Sequence, residues 1–262
     1  MNYQHLTLRH EGAIATVTFN RPDKANALNP ELLAEIETVA LSFRDDADAR
    51  VVIFTGAGRH FSSGADLSGG DGTPAQPLVL RRRRARLGER AVQALYGMDQ
   101  ITIAAWNGAA MGGGACLATA LDFRVGAADC FMQYPEIDLG LNLMWQSLPL
   151  LIHLVGPARA KRLVAGGDRI GAATLLDWGV LDELVPPGEL AARSEALARH
   201  YAAKPPVAAQ MIKRSVNQVV GALDRALMHM DADQNLLTQT TQDRVAAARA
   251  YLEGGEASFR GD

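Results

Sequence analysis

Residues 101–116, ITIAAWNGAAMGGGAC, join a short apolar run to a turn and then to three consecutive glycines. The run 101–105 carries no charged residue and is bounded by a turn, as expected of a strand buried on both faces of a parallel sheet. The pair Asn107-Gly108 ends that strand, and the glycines precede a segment of helical composition. The stretch therefore predicts a strand, a turn and a helix in succession.

The same pattern recurs earlier and later in the chain. Residues 51–55, VVIFT, form a second apolar run that Gly56 ends, and residues 123–125 form a weaker third one. Helical segments lie between these runs, which favours α/β crossovers and a largely parallel sheet. Alternating residues in 7–10 and 13–19 predict a hairpin at the N-terminus.

A helix start is predicted near the N-terminus. Asn29 is followed by Pro30, and asparagine caps a helix well while proline suits its first position.

Helices dominate the last third of the sequence. Beyond about Pro187 no strand-like run remains, and segments 188–202, 206–226 and 240–252 predict helices that serve subunit contacts. We expect a core domain over residues 1–187 and a helical region over 188–262.

Length and composition restrict the class of protein. The 262 residues suffice for one large domain, and 48 % hydrophobic residues argue against disorder. A formal charge of −3 gives no basic footprint, so neither nucleic acid nor membrane is expected as a partner. The first residues lack the layout of a secretion signal, which makes the cytoplasm the expected location. Two cysteines cannot form a disulfide framework or a four-cysteine zinc site, and we expect no metal.

Several common catalytic motifs are missing. The sequence contains no phosphate-binding G-x-x-x-x-G-K-[ST], no dinucleotide G-x-G-x-x-G, no G-x-S-x-G elbow and no H-E-x-x-H helix. Its six histidines are scattered without ligand spacing. Kinases, Rossmann dehydrogenases, elbow-type serine hydrolases and zincins are therefore poorly supported.

Two glycine-containing turns carry the chemical signal. The first is residues 56–67, GAGRHFSSGADL, and the second is residues 107–116; each directly follows a predicted strand. Consecutive glycines leave backbone N–H groups uncovered, and at a helix N-terminus these groups lie at the positive end of the dipole. Two such turns at adjacent strand ends can aim two donors at one developing negative oxygen. Either turn alone is better explained by ordinary turn geometry.

Seven pieces of the chain occur in a characteristic order: residues 20–29 (NRPDKANALN), 61–67, 107–114, 122–124, 134–140 (YPEIDLG), 178–186 (WGVLDELVP) and 258–260. Through these pieces the chain resembles the crotonase, or enoyl-CoA hydratase/isomerase, superfamily over nearly its whole length. The resemblance implies a spiral of repeated ββα units with a C-terminal helical oligomerisation region, a homotrimer or hexamer, and acyl-CoA thioesters as substrates. Coenzyme A then belongs to the substrate, and no separate cofactor is expected.

The resemblance also assigns catalytic roles. In the family two backbone amides hold the thioester oxygen as it becomes an enolate, and by position these are Ser63 and Gly113. Hydratases add two glutamates, of which this chain retains Glu136 and replaces the other by Cys116. A thiol with a pKa near ~8.5 is a poor substitute for a carboxylate, so hydration is disfavoured. The resemblance therefore favours an enoyl-CoA isomerase with Glu136 as its catalytic glutamate.

Other functions stay open at this stage. A hydratase could recruit Asp138 or a water, and a crotonase-fold hydrolase or C–C bond-cleaving enzyme would use the same cradle. A subunit that binds acyl-CoA without catalysis is a further alternative. A covalent route from Cys116 lacks a base placed beside it, and a small buried side chain is the simpler interpretation.

Binding residues follow from the same resemblance. Trp145 is expected to line the acyl pocket, because bulky groups in residues 143–151 replace the glycines that many hydratases carry there; it is equally explained as core. Cys116, at the position of the missing glutamate, is also expected to contact the substrate. Asp66 is as well explained by a helix cap as by a ligand contact. The residues expected to contact the coenzyme A part are Lys24, Ala25, Ala27, Ala65, Asp66, Leu67 and, from a neighbouring subunit, Phe259 with Arg260.

Two further segments have unusual composition. Residues 81–84 are four arginines within a predicted helix, which indicates either a solvated face or a contact with an anionic group. Residues 68–77, SGGDGTPAQP, predict a mobile loop that could fold over a ligand.

Overall fold

The computed structural model describes residues 3–67 and 77–262, so the predicted loop at 68–77 lies almost entirely outside the described residues. A six-stranded sheet has the order β1-β2-β3-β4-β6-β9 and is parallel apart from the first pair; a smaller sheet has the order β5-β7-β8. The α/β class and the N-terminal hairpin are confirmed. The strands within the described ranges are β1 (Leu6–Glu11), β2 (Ile14–Phe19), β3 (Val51–Gly56), β4 (Ile101–Trp106), β5 (Ala109–Met111), β6 (Phe123–Ala127), β7 (Phe131–Gln133), β8 (Ile170–Gly171) and β9 (Glu183–Val185).

Helices surround the large sheet and make up most of the chain after β9. In β4, β5 and α4, and again in β6, β7 and α5, two strands precede a helix, one strand joining each sheet. This is the expected ββα repeat. The helices are α1 (Pro30–Ser42), α2 (Leu78–Ala85), α3 (Leu87–Tyr96), α4 (Gly113–Thr119), α5 (Leu148–Val164), α6 (Ala172–Asp177), α7 (Leu190–Ala202), α8 (Pro206–Val220), α9 (Asp224–Met228), α10 (Asp231–Thr238) and α11 (Gln242–Glu253).

The register between β3 and β4 positions the two glycine turns. Phe54 pairs with Ala104 and Thr55 with Ala105 in a parallel ladder, so both strands end at the same edge of the sheet. All apolar residues of the two strands except Ile101 are buried, as the uninterrupted runs predict. The segments that follow these strands therefore leave the sheet side by side.

Helix α1 begins where the sequence predicts. The Asn29 side chain accepts a hydrogen bond from the Leu32 amide at 3.0 Å, and Pro30 is the first helical residue. This cap satisfies one of the amide donors left open at a helix start. Leu32, Leu33 and Ile36 bury one face of the helix against the core.

The C-terminal region is helical, but one of its helices covers the sheet. Leu190 and Ala198 of α7 pack with Val51, Ile103 and Val125 in a second apolar cluster on the other face of the large sheet. The premise that the C-terminal helices have no sheet to cover is therefore wrong for α7, because burying that face requires a covering helix. The subunit contacts expected of these helices stay a prediction. The division into domains at residue 187 stays a prediction.

Helix α8 presents an apolar surface to solvent. Val207, Met211, Ile212 and Val216 are each more than half exposed. No helix of the described ranges combines the length and apolar character needed to cross a membrane. The homotrimer or hexamer that the resemblance implies stays a prediction.

Candidate active site

The two glycine turns meet at the edge of the large sheet. The Ser62 amide donates to the Ala109 carbonyl at 3.0 Å, and the Met111 amide donates to the Ser62 carbonyl at 3.0 Å. A Cβ on Gly64, where φ is +88°, would lie 2.6 Å from the Met111 carbonyl oxygen and 3.6 Å from the Gly113 nitrogen. Only glycine fits there, and the predicted convergence of the turns is confirmed.

The Gly113 amide is the first of helix α4. The first bond inside this helix is donated by the Cys116 amide to the Gly112 carbonyl at 3.0 Å, so the Gly113 amide precedes it. Within residues 3–67 and 77–262, Gly113 donates no backbone hydrogen bond. Its N–H group lies at the positive end of the helix and is available to an anionic oxygen.

The prediction of Ser63 as the second donor is wrong. Its amide donates to the Ala25 carbonyl at 2.9 Å and is therefore occupied. The sequence placed the donor two residues too early, because which amides of a turn are occupied depends on distant segments.

The open amide on this turn is that of Ala65. The Leu28 amide donates to the Gly64 carbonyl at 2.8 Å, and the Asp66 amide donates to the Leu28 carbonyl at 3.1 Å. Successive amides of an extended segment alternate in direction, so the Ala65 N–H is directed away from Leu28. Among the described residues it has no hydrogen-bond acceptor. Ala65, predicted as a substrate contact, therefore offers the open amide that was predicted for Ser63.

Glu136 lies beside these amides. A Cβ on Gly112 would be 2.7 Å from Glu136 Oε1, so the glycine leaves just enough room for the carboxyl group. Glu136 Oε2 is buried and has no hydrogen-bond partner within the described ranges. Burial raises the pKa of Glu136 from 4.5 to about 7. A buried carboxyl oxygen without a partner is suited to exchange a proton with a bound molecule.

A cavity of about 170 Å³ connects these groups. Ala65, Gly113 and Glu136 line it together with predominantly apolar side chains, and Glu136 supplies the one carboxylate among the lining residues that the structure describes. Three polar lining residues from the C-terminal region were missed by the sequence prediction, since no motif marks them. These are Asn235, Gln239 and Tyr251.

The sequence profile of the enoyl-CoA hydratase/isomerase family matches residues 9–262. The chain belongs to this family. It is 33 % identical to the crotonyl-CoA hydratase of Syntrophomonas wolfei over 99 % of both chains, and 31 % identical to the short-chain-enoyl-CoA hydratase of Clostridium acetobutylicum over 97 % of this chain and 96 % of that one. An enoyl-CoA hydratase/isomerase structure from Xanthobacter autotrophicus superposes with a TM-score of 0.88 at 28 % identity, covering 97 % of this chain and 95 % of that one.

Cys116 stands where the family places a second glutamate. Its thiol is fully buried, and Sγ donates to Ser147 Oγ at 3.1 Å. Burial, and secondarily the charge of Glu136, raises the pKa of Cys116 well above the ordinary range. The thiol therefore stays protonated, which argues against a covalent route and supports the interpretation as a small buried side chain.

We expect Cys116→Ser to leave kcat/KM for an enoyl-CoA within about threefold of wild type, because serine retains the donor to Ser147 and no thiolate is needed. Steady-state kinetics would measure this, and iodoacetamide should fail to inactivate the wild-type enzyme. A loss of several orders of magnitude would identify the thiol as the nucleophile.

Asp138 does not join Glu136 in the cavity. Its carboxylate faces Gly167, where a Cβ would lie 3.0 Å from Oδ2, and it lines a separate surface cleft that contains Phe259. The alternative in which Asp138 supplies the second carboxylate is therefore contradicted by its position. Phe259 of this chain likewise lies outside the cavity and is 55 % exposed; its contribution to a neighbouring subunit stays a prediction.

The loop at residues 24–27 is fixed by a residue that the sequence prediction missed. Asn26 Nδ2 donates to the carbonyls of Ala57 and His60 at 2.9 and 2.6 Å, which ties this loop to the first glycine turn. Both Ala25 and Asn26 are left-handed, with φ of 49° and 54°. An asparagine between alanines after a turn was the available signal, since asparagine tolerates this conformation.

The predicted coenzyme A contacts differ in exposure. Lys24 and Leu67 are exposed, whereas Ala27 is buried. The Asp66 carboxylate pairs with Arg21 at 2.8 Å, and Arg21 also donates to the Ala27 carbonyl. This ion pair gives the Asp66 carboxylate a structural role. Its role toward ligand stays a prediction.

Trp145 lines the cavity in a conformation that is unusual for a large side chain. Its φ is 74°, and that of Gln146 is 55°. Left-handed non-glycine residues cost about 1–3 kcal/mol each and persist where their neighbours fix them. Here the Gln146 amide donates to Asp231, and Gln146 Nε2 donates to Glu89 at 2.8 Å.

The arginine run connects α2 to α10. Arg82 Nη2 donates to Asp233 Oδ2 at 2.9 Å, and Arg81 Nη2 donates to Gln239 Oε1 at 3.2 Å. Arg83 and Arg84 are exposed, as a solvated face requires. Both predicted alternatives therefore apply: Arg83 and Arg84 belong to a solvated face, whereas Arg82 contacts an anionic group, the Asp233 carboxylate of the same chain.

Proposed function

We propose that the protein is an enoyl-CoA isomerase that moves a double bond through an enolate of the thioester. The observation that carries this is that Glu136, the one carboxylate among the described residues of the cavity, lies beside the open amides of Ala65 and Gly113. Family membership and the names of the relatives support an enoyl-CoA thioester as substrate.

The proposed reaction requires one base and one oxyanion site. Glu136 removes a proton from C2 of a 3-enoyl-CoA, and the electron pair moves to the thioester oxygen, giving a dienolate. The two amides stabilise this oxygen, because they are already oriented when the charge develops. Glu136 then returns the proton to C4, the double bond moves to C2–C3, and no water is consumed.

A comparison of two substrates tests the proposal. Purified protein is incubated with a 3-enoyl-CoA and, separately, with a 2-enoyl-CoA, and the absorbance of the conjugated thioester is followed. An isomerase produces that absorbance from the 3-enoyl-CoA. An unchanged spectrum with the 3-enoyl-CoA would contradict isomerisation.

Hydration is the second candidate, and the names of the relatives favour it. With Cys116 protonated and Asp138 outside the cavity, Glu136 would have to deprotonate water and also deliver the proton to carbon. A hydratase removes the conjugated absorbance of the 2-enoyl-CoA. A hydrolase would release free coenzyme A thiol, and a binding subunit would change neither substrate.

Activity is expected to depend on pH through Glu136. The base must be ionised, and burial raises its pKa to about 7. Activity should therefore rise roughly tenfold per pH unit below 7 and level off above it. The profile of kcat/KM between about pH 5.5 and 9 measures the pKa in the free enzyme. A profile that is flat from pH 5.5 upward would contradict a base with a raised pKa.

A further inference from the structure

Trp145 fills the space between helices α3 and α4 beside the reacting groups. A Cβ on Gly113 would lie 2.2 Å from Trp145 Cζ3, and a Cβ on Gly88 would lie 1.9 Å from Trp145 Cε2. The indole ring therefore lies directly on one backbone from each helix. A side chain at Gly88 or Gly113 would collide with the indole ring, so glycine is required at both positions.

Hydrogen bonds of the neighbouring residues fix the turn that carries Trp145. Glu89, which anchors the side chain of Gln146, is itself paired with Arg86 at 3.0 Å. Ser147 Oγ donates to the Met144 carbonyl at 3.0 Å on the other side of the same turn. Trp145 is 7 % exposed. A side chain fixed by bonds on both sides of its turn acts as a rigid wall of the cavity and does not swing aside for a longer ligand.

The cavity bounded by this wall is small. Its volume of about 170 Å³ is well below the roughly 300 Å³ at which pockets for small molecules usually begin. A chain that extends from a carbonyl at the Gly113 amide along α4 toward α3 meets the indole ring. Removing the ring would join the space between the two helices to the cavity.

We propose that Trp145 limits the length of the acyl group, so that the enzyme selects acyl chains of about four carbons over chains of eight. This inference rests on the proposed function, because it requires acyl-CoA to bind in this cavity. It adds the residue that sets substrate length and the class of acyl group admitted.

The test measures binding rather than turnover. Butyryl-CoA and octanoyl-CoA are saturated and are not consumed by the proposed reaction, so their dissociation constants can be compared by calorimetry. In the wild type, octanoyl-CoA should bind no more tightly than butyryl-CoA. Each buried methylene improves affinity about fourfold, so in Trp145→Ala octanoyl-CoA should gain at least about tenfold over butyryl-CoA.

Two further variants complete the test. Trp145→Phe keeps an aromatic ring against Gly88 and should give a smaller gain in the same direction, which keeps the test decisive if Trp145→Ala does not fold. Trp178→Ala is the matched control, since Trp178 lies under Arg159 and Arg162 and does not line the cavity. Its chain-length preference should equal that of the wild type.

Three results would overturn the inference. Octanoyl-CoA binding several-fold more tightly than butyryl-CoA in the wild type would show that Trp145 excludes nothing. An unchanged preference in the folded Trp145 variants would show that the limit lies elsewhere. Failure of the wild type to bind either acyl-CoA would overturn the proposed function as well. The first two results, by contrast, would overturn only the limit on acyl length.

Discussion

Glu136→Gln is expected to lower enoyl-CoA turnover by about 10²- to 10⁴-fold, the range that a positioned general base contributes. Glutamine has nearly the shape of glutamate and fits against Gly112, but its amide cannot accept and return a proton. The binding of butyryl-CoA should change by less than about threefold, because the carboxylate acts on the reacting carbons and contributes little to ground-state affinity. Steady-state kinetics and calorimetry measure the two quantities separately.

Asp138→Asn is the matched control for this experiment. It removes a carboxylate two residues further along the chain that lies in a different cleft, so turnover should stay at the wild-type level. Melting curves of both variants verify that they fold. Full turnover in Glu136→Gln would remove Glu136 from the reaction, and a large loss in Asp138→Asn would restore the two-carboxylate alternative.

The sequence predicts the framework of this site well, because its signals are local. Apolar runs at 51–55 and 101–105 and the glycines that follow them specify strands and turns within a few residues. Parallel pairing then brings the two turns to one edge of the sheet. Glu136 was identified through its family motif, and the structure places it beside both turns.

Donor assignment fails because hydrogen bonding in a turn is not local. Whether Ser63 or Ala65 has an open amide is decided by Ala25 and Leu28, which belong to an earlier segment of the chain. Both amides look alike in the sequence around Gly64. A prediction made from the turn alone cannot separate them.

Trp145 was predicted to line the pocket, but its conformation was beyond local reasoning. A left-handed tryptophan contradicts residue preferences, and its conformation depends on Asp231 and Glu89, which are distant in sequence from it and from each other. The same holds for Asn235 and Tyr251, which reach the cavity from helices that carry no motif. Long-range packing determines these positions.

Ala65→Pro is expected to lower turnover by about 10²- to 10³-fold, the usual effect of losing one oxyanion donor. Proline removes the N–H group and places its ring carbon where the thioester oxygen would accept the bond. The fold should persist, because Leu28 pairs with the Gly64 carbonyl and the Asp66 amide, and both groups remain. Gly64, the preceding residue, is the residue type best able to adapt to proline.

Two substitutions on the same turn separate loss of the donor from general damage. Ala65→Ser keeps the amide, and Ser63→Ala removes only a hydroxyl that lies 3.5 Å from the Lys24 carbonyl, so each should retain activity within about threefold. Circular dichroism and melting temperature should match the wild type in all three variants. Full activity in Ala65→Pro would mean that this amide does not contact the reacting oxygen, and a hundredfold loss in Ser63→Ala would mean that the serine hydroxyl does. Because the proposed chemistry needs charge on the thioester oxygen to be stabilised from both turns, the first of these results would undermine the enolate mechanism even if Glu136 proved essential.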